Sequence, residues 1–375
     1  MEVIGIIAEY NPFTNGHLYH IKKIKEMYND SIIIAVISSS FTQRGNISII
    51  NKWDKTKICL ENDIDLVIEL PYFYSSQSAD IFSYGALAIL NYLKVNKIVF
   101  GSELNDIKKL YNDAKFSLSN EYNTSIKKYL NEGYNYPSCI SLATKLNINT
   151  PNDILGLTYI KEIIKNNYNI TPVSIKRTND FHSTNVDSNI ISATAIRNLL
   201  KNNKDISKYV PFDINKYKIY NPDIFKILKY KINSDRNILN TFRTVDEGID
   251  NRLIKYINKA SSIEEFIKLI KTRRYTYNKI NRMFIHIITS FQKSEITNDK
   301  VSYIRILGFN KKGKNYLNTI KKDCIYPIIT TYSKGNSKML EYEKIVTSVY
   351  ASILPENEKN KLIKEEYQNK PKLRR

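Results

Sequence analysis

The residues best suited to chemistry lie among the first twenty. An almost unbroken apolar run, Val3 to Ala8, is followed by Glu9, Tyr10, Asn11, Pro12, Phe13, Thr14, Asn15, Gly16, His17, Leu18, Tyr19 and His20. The run fits a strand buried on both faces. Pro12 and the Asn15-Gly16 pair then impose a turn. From His17 onward the spacing is helical, with Leu18, Ile21, Ile24 and Met27 on one side. A strand, a polar turn and a helix start together favour anions, because the first helical amides are unpaired and the macrodipole attracts negative charge. Gly16 has no Cβ to hold a phosphate off the backbone, and His17 can donate from its ring. An ordinary strand-to-helix loop shows the same residue types, so this turn alone leaves both readings open.

A second helix start has the same character. In Ser192-Ala193-Thr194-Ala195-Ile196-Arg197 the hydroxyls of Ser192 and Thr194 stand with free amides, and Arg197 follows one turn inside. That set can hold phosphates. Plain helix capping explains Ser192 and Thr194 equally well when they are taken alone. Two such starts in one chain are a more specific signal.

The elements that must position these residues read as repeated βα units. Strands are expected at 31–38, at 65–70 up to Pro71, at 97–100 and at 171–175, with helices at 52–61 and 78–93 and from Pro151-Asn152-Asp153 onward. Residues 104–150 read as a helical insertion. The pattern implies a parallel sheet with helices on both faces. Ligands of such sheets bind beyond the carboxyl ends of the strands. The turn at 9–17, the loop carrying Arg44, Gly101-Ser102 and Lys176-Arg177 all fall on that edge.

Charge divides the chain. The whole carries 57 basic and 37 acidic residues, net +20; residues 1–200 hold 20 and 19, residues 201–375 hold 37 and 18. A lysine-biased composition would raise both parts equally, so the asymmetry points to a polyanion partner for the second. Two units follow: residues 1–204, nucleotide-binding, and residues 205–375, basic and mainly helical. In the latter, Lys271, Arg273 and Arg274 precede Tyr275 and Tyr277, and Lys311, Lys312 and Lys314 form a cationic turn after a strand. Such cations neutralise phosphates, and tyrosines stack on unpaired bases. No apolar run approaches the roughly 20 residues of a membrane span, and no signal-peptide pattern opens the chain. Cys59, Cys139 and Cys324 are few, odd in number and far apart, as expected for reduced thiols in a cytoplasmic protein. Of the four histidines, His17, His20, His182 and His286, only the pair in the turn has metal-ligand spacing; no metal site is expected.

The turn at 11–17 resembles the His-x-Gly-His signature of the nucleotidyltransferase superfamily, with Thr14 in place of the first His, and Ser192 to Arg197 resembles its second signature. A hydroxyl at 14 can hydrogen-bond a phosphate but carries no charge. Over nearly its whole length the chain resembles the bacterial tRNA(Met) cytidine acetate ligase family. The resemblance rests on residues 9–13 and 15–20, Gln43-Arg44-Gly45, Lys52-Trp53, Asp65 to Pro71, Gln77-Ser78-Ala79, Val99 to Glu103, Ser192-Ala193-Thr194 and Leu307-Gly308-Phe309. It implies an α/β, Rossmann-like nucleotidyltransferase domain followed by a mainly helical basic domain. It also implies ATP-dependent activation of acetate and acetyl transfer to the wobble cytidine of elongator tRNA(Met). The ATP contacts it implies are Ile7 to His20, Gly101, Asn152 and Arg177, with magnesium as the expected counter-ion. Two other readings stay open: adenylation of a small phosphate-bearing metabolite, and a non-catalytic RNA-binding protein.

Overall fold

The computed structural model describes residues 1–143, 150–177, 189–295, 300–332, 335, 337–368 and 370–374; His182 lies outside them. The chain runs β1 (Val3–Ala8), α1 (Asn15–Met27), β2 (Ile32–Ser38), α2 (Lys52–Glu61), β3 (Leu66–Leu70), α3 (Tyr72–Ser75), α4 (Ala79–Tyr92), β4 (Lys97–Ser102), α5 (Ile107–Phe116), α6 (Asn120–Asn131), α7 (Tyr136–Ala143), α8 (Pro151–Lys165), β5 (Thr171–Lys176) and α9 (Ala193–Lys201). Then come α10 (Phe225–Ser234), α11 (Ile249–Ile257), α12 (Ile263–Ile270), α13 (Tyr277–Ile288), β6 (Ile304–Asn310), α14 (Lys311–Ile320), β7 (Ile328–Ile329), α15 (Lys338–Ser352), α16 (Glu356–Gln368) and β8 (Lys372–Arg374).

Strands β1 to β5 are parallel, in the order β5-β4-β1-β2-β3. The central β1 and β2 are apolar but for Ser38 at the end of β2 and are almost wholly buried, as strands covered on both faces must be. The chain walks from β1 to β3 on one side, then returns to place β4 and β5 on the other. The order therefore reverses between β1 and β4. At such a switch point the connections leave in opposite directions and a crevice opens at the carboxyl ends.

The five strands of the βα units form the parallel sheet the spacing predicts, and the sheet extends beyond them as a mixed one. Strand β6, from the basic part of the chain, pairs antiparallel with β3, and β7 and β8 pair with β6. A division at residue 204 therefore does not divide the sheet. The physical reason is twofold. Without β6, the hydrophobic strand β3 would present an open edge. A fully buried ionic cluster also joins the two stretches of sequence: Lys52 Nζ lies 2.7 Å from carboxylate oxygens of both Glu69 and Glu366, and Arg305 Nη1 lies 3.0 Å and 2.6 Å from the same two residues. Two cations matched to two anions are tolerable in a low-dielectric interior, whereas loss of one would leave an uncompensated buried charge. Burial works against Glu69, yet Lys52 and Arg305 pull its carboxyl down to about 2.

Helices α5 to α7 follow β4; α6 and α7 share a small core of their own around Tyr122, Ile126 and Cys139, while Leu110 and Ala114 of α5 pack into the main core. The cysteines are free thiols. Among the described residues, no helix is long and apolar enough to cross a membrane.

Candidate active site

One cleft occupies the switch point. It takes in Ile6 to Asn11 at and just past the end of β1, the first turn of α1, Gly101 near the end of β4, Ile175 to Arg177 at the end of β5, Asn152 on α8, and the start of α9. Both helix starts singled out by sequence therefore open onto the same space.

The first turn is built tightly. Asn11-Pro12 is a cis peptide, and Tyr10 adopts the left-handed conformation with φ 45°. A non-glycine residue there costs about 1–3 kcal/mol, which its surroundings must offset. Here its buried ring packs 4.6 Å from Phe13 and 4.9 Å from His17. Thr14 is the N-cap of α1 and His17 is its third residue, and the two form a reciprocal capping box. Thr14 Oγ1 accepts from the His17 amide at 3.3 Å, and the Thr14 amide donates to His17 Nδ1 at 2.9 Å. That second bond makes Nδ1 an acceptor, which leaves the ring proton on Nε2. Burial, with help from Arg177 and His20, holds the His17 pKa down to about 3. His17 is thus a neutral donor with a fixed tautomer.

The second turn repeats the device. Ser192 caps α9 by accepting from the Ala195 amide at 3.1 Å. Arg197 donates from Nη2 to Thr194 Oγ1 at 3.0 Å and from Nη1 across the cleft to the Asn11 carbonyl at 2.7 Å. Arg197 thereby fastens α9 to the turn before α1. The third wall carries Arg177, whose Nε lies 3.4 Å from Glu103, and Asn152, which donates to the same carboxylate at 2.6 Å. A Cβ on Gly101 would meet the Arg177 side chain at 3.3 Å, so the glycine lets that arginine lie across the end of β4. Behind the cleft the buried Lys55 ammonium donates to the carbonyls of Glu9, Ser38 and Ser39 at 2.9, 2.8 and 3.3 Å, holding the ends of β1 and β2 together. Burial lowers its pKa to about 8. Glu9 itself accepts from the Gln43 amide at 2.6 Å.

Of the residues expected to touch a nucleotide, Ile7, Ala8, Glu9, Tyr10, Asn11, Thr14, Gly16, His17, Tyr19, His20, Gly101, Asn152, Arg177, Ser192, Thr194 and Arg197 line the cleft; Pro12, Phe13, Asn15 and Leu18 do not. Asn15 instead ties the turn to the carbonyls of Asn189 and Lys208. Sequence reading missed the apolar wall of Phe82, Val99, Phe100, Leu155, Tyr159 and Ile175. Nothing distinguishes those residues from ordinary core in a linear chain. Arg44 and Gln43 also line the cleft, in the loop that the sequence puts at the carboxyl edge of the sheet. Among the described residues, no group of three His, Cys, Asp or Glu converges as a metal site.

The two basic clusters part company. Lys271, Arg273 and Arg274 are exposed between α12 and α13. Lys271 sits 4.6 Å over the exposed Tyr277 ring, Arg273 sits 4.3 Å over Tyr134, and Arg274 pairs with Glu247. Tyr275 is no stacking surface, for it is buried and its hydroxyl donates to the Asp246 carbonyl at 2.7 Å. Helix α13 lies against the Arg44 loop: Gly45 has φ +74°, and a Cβ there would meet the Arg282 amide nitrogen at 2.3 Å. The first cluster therefore lies just before a helix that borders the cleft loop. Lys311, Lys312 and Lys314 begin α14, immediately after β6. Because β6 is antiparallel, this turn sits at the amino edge of the parallel strands, where Lys312 pairs with Asp30 at 2.9 Å. That edge is opposite the cleft.

Residues 1–366 match the family described as HIGH Nucleotidyl Transferase. A protein named tRNA(Met) cytidine acetate ligase from Caldicellulosiruptor bescii is 38% identical over 367 residues, covering 92% of this chain and 91% of its own. The protein of the same name from Bacillus subtilis is 34% identical, covering 99% and 97%. The crystal structure of Thermotoga maritima TmcAL without ligand aligns with a TM-score of 0.90 at 27% identity, over 100% of this chain and 99% of that one. The same protein bound with alpha-thio ATP aligns with a TM-score of 0.88 at 28% identity, over 100% of both chains.

Proposed function

The chain belongs to the tRNA(Met) cytidine acetate ligase family of HIGH nucleotidyl transferases, and we propose that it activates acetate with ATP and transfers the acetyl group to the exocyclic amine of the wobble cytidine of elongator tRNA(Met), giving N4-acetylcytidine. The observation that carries the proposal is the meeting of two capped helix starts across one cleft, joined by the Arg197–Asn11 bond. Free amides at both starts, the Nε2 proton of His17 and the guanidinium groups of Arg177 and Arg197 are arranged to receive a triphosphate.

In the first step an acetate oxygen attacks the α-phosphorus, the bond to the bridging oxygen breaks, and pyrophosphate departs with the electron pair. Negative charge grows on oxygens that the α1 and α9 amides can reach. A fixed neutral donor such as His17 needs no reorganisation as that charge develops. Holding acetate and ATP in one cleft removes the entropic part of the barrier. In the second step N4 of cytidine bonds to the acetyl carbon, the carbon–oxygen bond to AMP breaks, and the proton lost by N4 passes to the departing phosphate. Magnesium is expected to arrive on the triphosphate. The apolar wall from Phe100 to Ile175 suits adenine, and the exposed cations at 271–274 suit the tRNA backbone. The protein is expected to work in the cytoplasm, where these substrates and reduced thiols are found.

The test is incubation with labelled acetate, ATP and tRNA(Met) transcripts. Label should enter RNA with one AMP and one pyrophosphate released per acetyl group, and a transcript with uridine at the wobble position should stay unlabelled. Adenylation of a phosphate-bearing metabolite with no label in RNA would overturn the proposal. The non-catalytic reading rested on Thr14, and the observed role of Thr14 as cap and as partner of His17 removes its main support.

A further inference from the structure

A second groove opens off the cleft, and the steps above leave it without a role. Its walls are α9, α12, α13 and the 220–224 segment, and Asn46, Thr194 and Arg197 line both it and the cleft. The two spaces therefore meet at the start of α9. The floor is apolar: Ile267 is buried, and Phe284 is buried and stacked on Phe266 with ring centroids 5.4 Å apart and planes 12° apart. Asn198 and Asn281 add side-chain amides to the lining. Lys201 on α9 and Glu264 on α12 belong to opposite walls, and their side chains pair at 3.3 Å while more than half exposed, at 58% and 61%. Such a solvated pair contributes little and separates readily.

We propose that this groove seats the acceptor cytosine, extruded from the anticodon loop, and presents its N4 to the acetyl-adenylate at Thr194 and Arg197. This rests on the function proposed above and adds the site of the second substrate. Three features favour a nucleobase. An adenylate held between the starts of α1 and α9 has its mixed anhydride at that junction, and the groove reaches the same junction from the α12–α13 side. A base taken out of its loop needs an apolar seat for its face and polar groups for its edge. Cytosine offers one amine donor and two acceptors on that edge, and an Asn amide supplies both complementary kinds of group. Finally, the exposed Lys271 and Arg273 follow directly on α12, one wall of the groove, where the phosphates flanking an inserted nucleotide would pass.

The variants are Asn198→Trp, which fills the groove from an exposed position on α9, and Asn281→Ala, which only removes an amide. Two reactions are read for each: acetate-dependent ATP–pyrophosphate exchange without RNA, and acetyl transfer to tRNA(Met) transcript. Exchange should stay at the wild-type rate. Transfer should fall by about tenfold or more in Asn198→Trp, the order expected when one base loses its stacking seat, and by less in Asn281→Ala. The affinity for tRNA should change little, since phosphate contacts dominate it. Wild-type transfer rates in both variants would overturn the groove assignment. So would a parallel loss of exchange and transfer in Asn281→Ala, which would put the groove in the nucleotide site or the fold. Wild-type protein that exchanges pyrophosphate yet acetylates no tRNA would instead overturn the underlying function.

Discussion

The Arg197 guanidinium donates to the Asn11 carbonyl at 2.7 Å, across 186 positions of sequence. This bond ties the start of α9 to the turn before α1, on the two sides of the cleft. Its second arm is occupied by Thr194. Lysine has one nitrogen on a flexible stem and cannot reproduce this fork. Arg197→Lys should therefore slow acetate-dependent ATP–pyrophosphate exchange by about 10²-fold, comparable to losing one oriented donor at a developing oxyanion. Exchange at the wild-type rate in Arg197→Lys would mean that charge alone matters there.

His17 should act without ionising. Burial, with Arg177 and His20 close by, keeps its pKa near 3. The rate of exchange against pH should therefore show no step near 6.5, the ordinary histidine value. His17→Ala should cost about 10²-fold in that rate. A step near 6.5 that disappears in His17→Ala would show that the imidazolium form takes part.

Thr14 should matter through the helix it caps. Thr14→Ala loses the hydroxyl that accepts from the His17 amide and should destabilise the protein by about 1 kcal/mol. Thr14→Ser keeps that oxygen and should restore the stability. Equilibrium unfolding of both variants reads the difference. Equal stability of the two would remove the cap from the account.

The two basic clusters should separate in their response to salt. If Lys271, Arg273 and Arg274 touch single-stranded phosphates, each lost contact should flatten the slope of log affinity against log salt by roughly 0.7. Replacing all three by alanine should weaken tRNA binding and its salt dependence together, with exchange intact. The same change at Lys311, Lys312 and Lys314, on the opposite edge of the sheet, should alter the slope less. The reverse ranking would place the RNA across the amino edge.

Glu343 should set a pH dependence of stability. It is fully buried, its Oε1 accepts from the Tyr72 amide, and burial with the nearby Glu69 raises its pKa to about 8. The folded protein then keeps a proton that the unfolded chain releases above its ordinary pKa of about 4.5. This contribution is fully present below that value and fades as pH rises towards 8, by at most about 1.4 kcal/mol per pH unit. Glu343→Gln has no such proton to lose, so its stability relative to wild type should rise steadily from pH 5 to pH 8. A constant difference across that range would show that Glu343 is ionised in the fold.

Local chemistry made much of this protein legible in its sequence. The run Val3–Ala8, the turn at Pro12 and Gly16 and the cap at Ser192 each act within one or two turns of chain, so their residue types declare their geometry; Thr14 read only as a phosphate-facing hydroxyl, and its capping of α1 came from the fold. The spacing of the five parallel strands then placed the cleft at their carboxyl ends. Tertiary structure alone decided what depends on partners far apart. Arg305 looks like the solvent-facing residue of an alternating strand, yet it is 1% exposed because Glu69 and Glu366 lie beside it in space. The direction of β6 carries Lys311, Lys312 and Lys314 away from the cleft, and no residue in that strand encodes its direction. Phe100 and Tyr159 read as core in the chain and become the wall of a cleft in the fold. Capping and periodicity are short-range interactions, readable in a window of ten residues. Edge pairing, buried charge compensation and the joining of two helix starts are settled only when distant segments collapse onto one sheet.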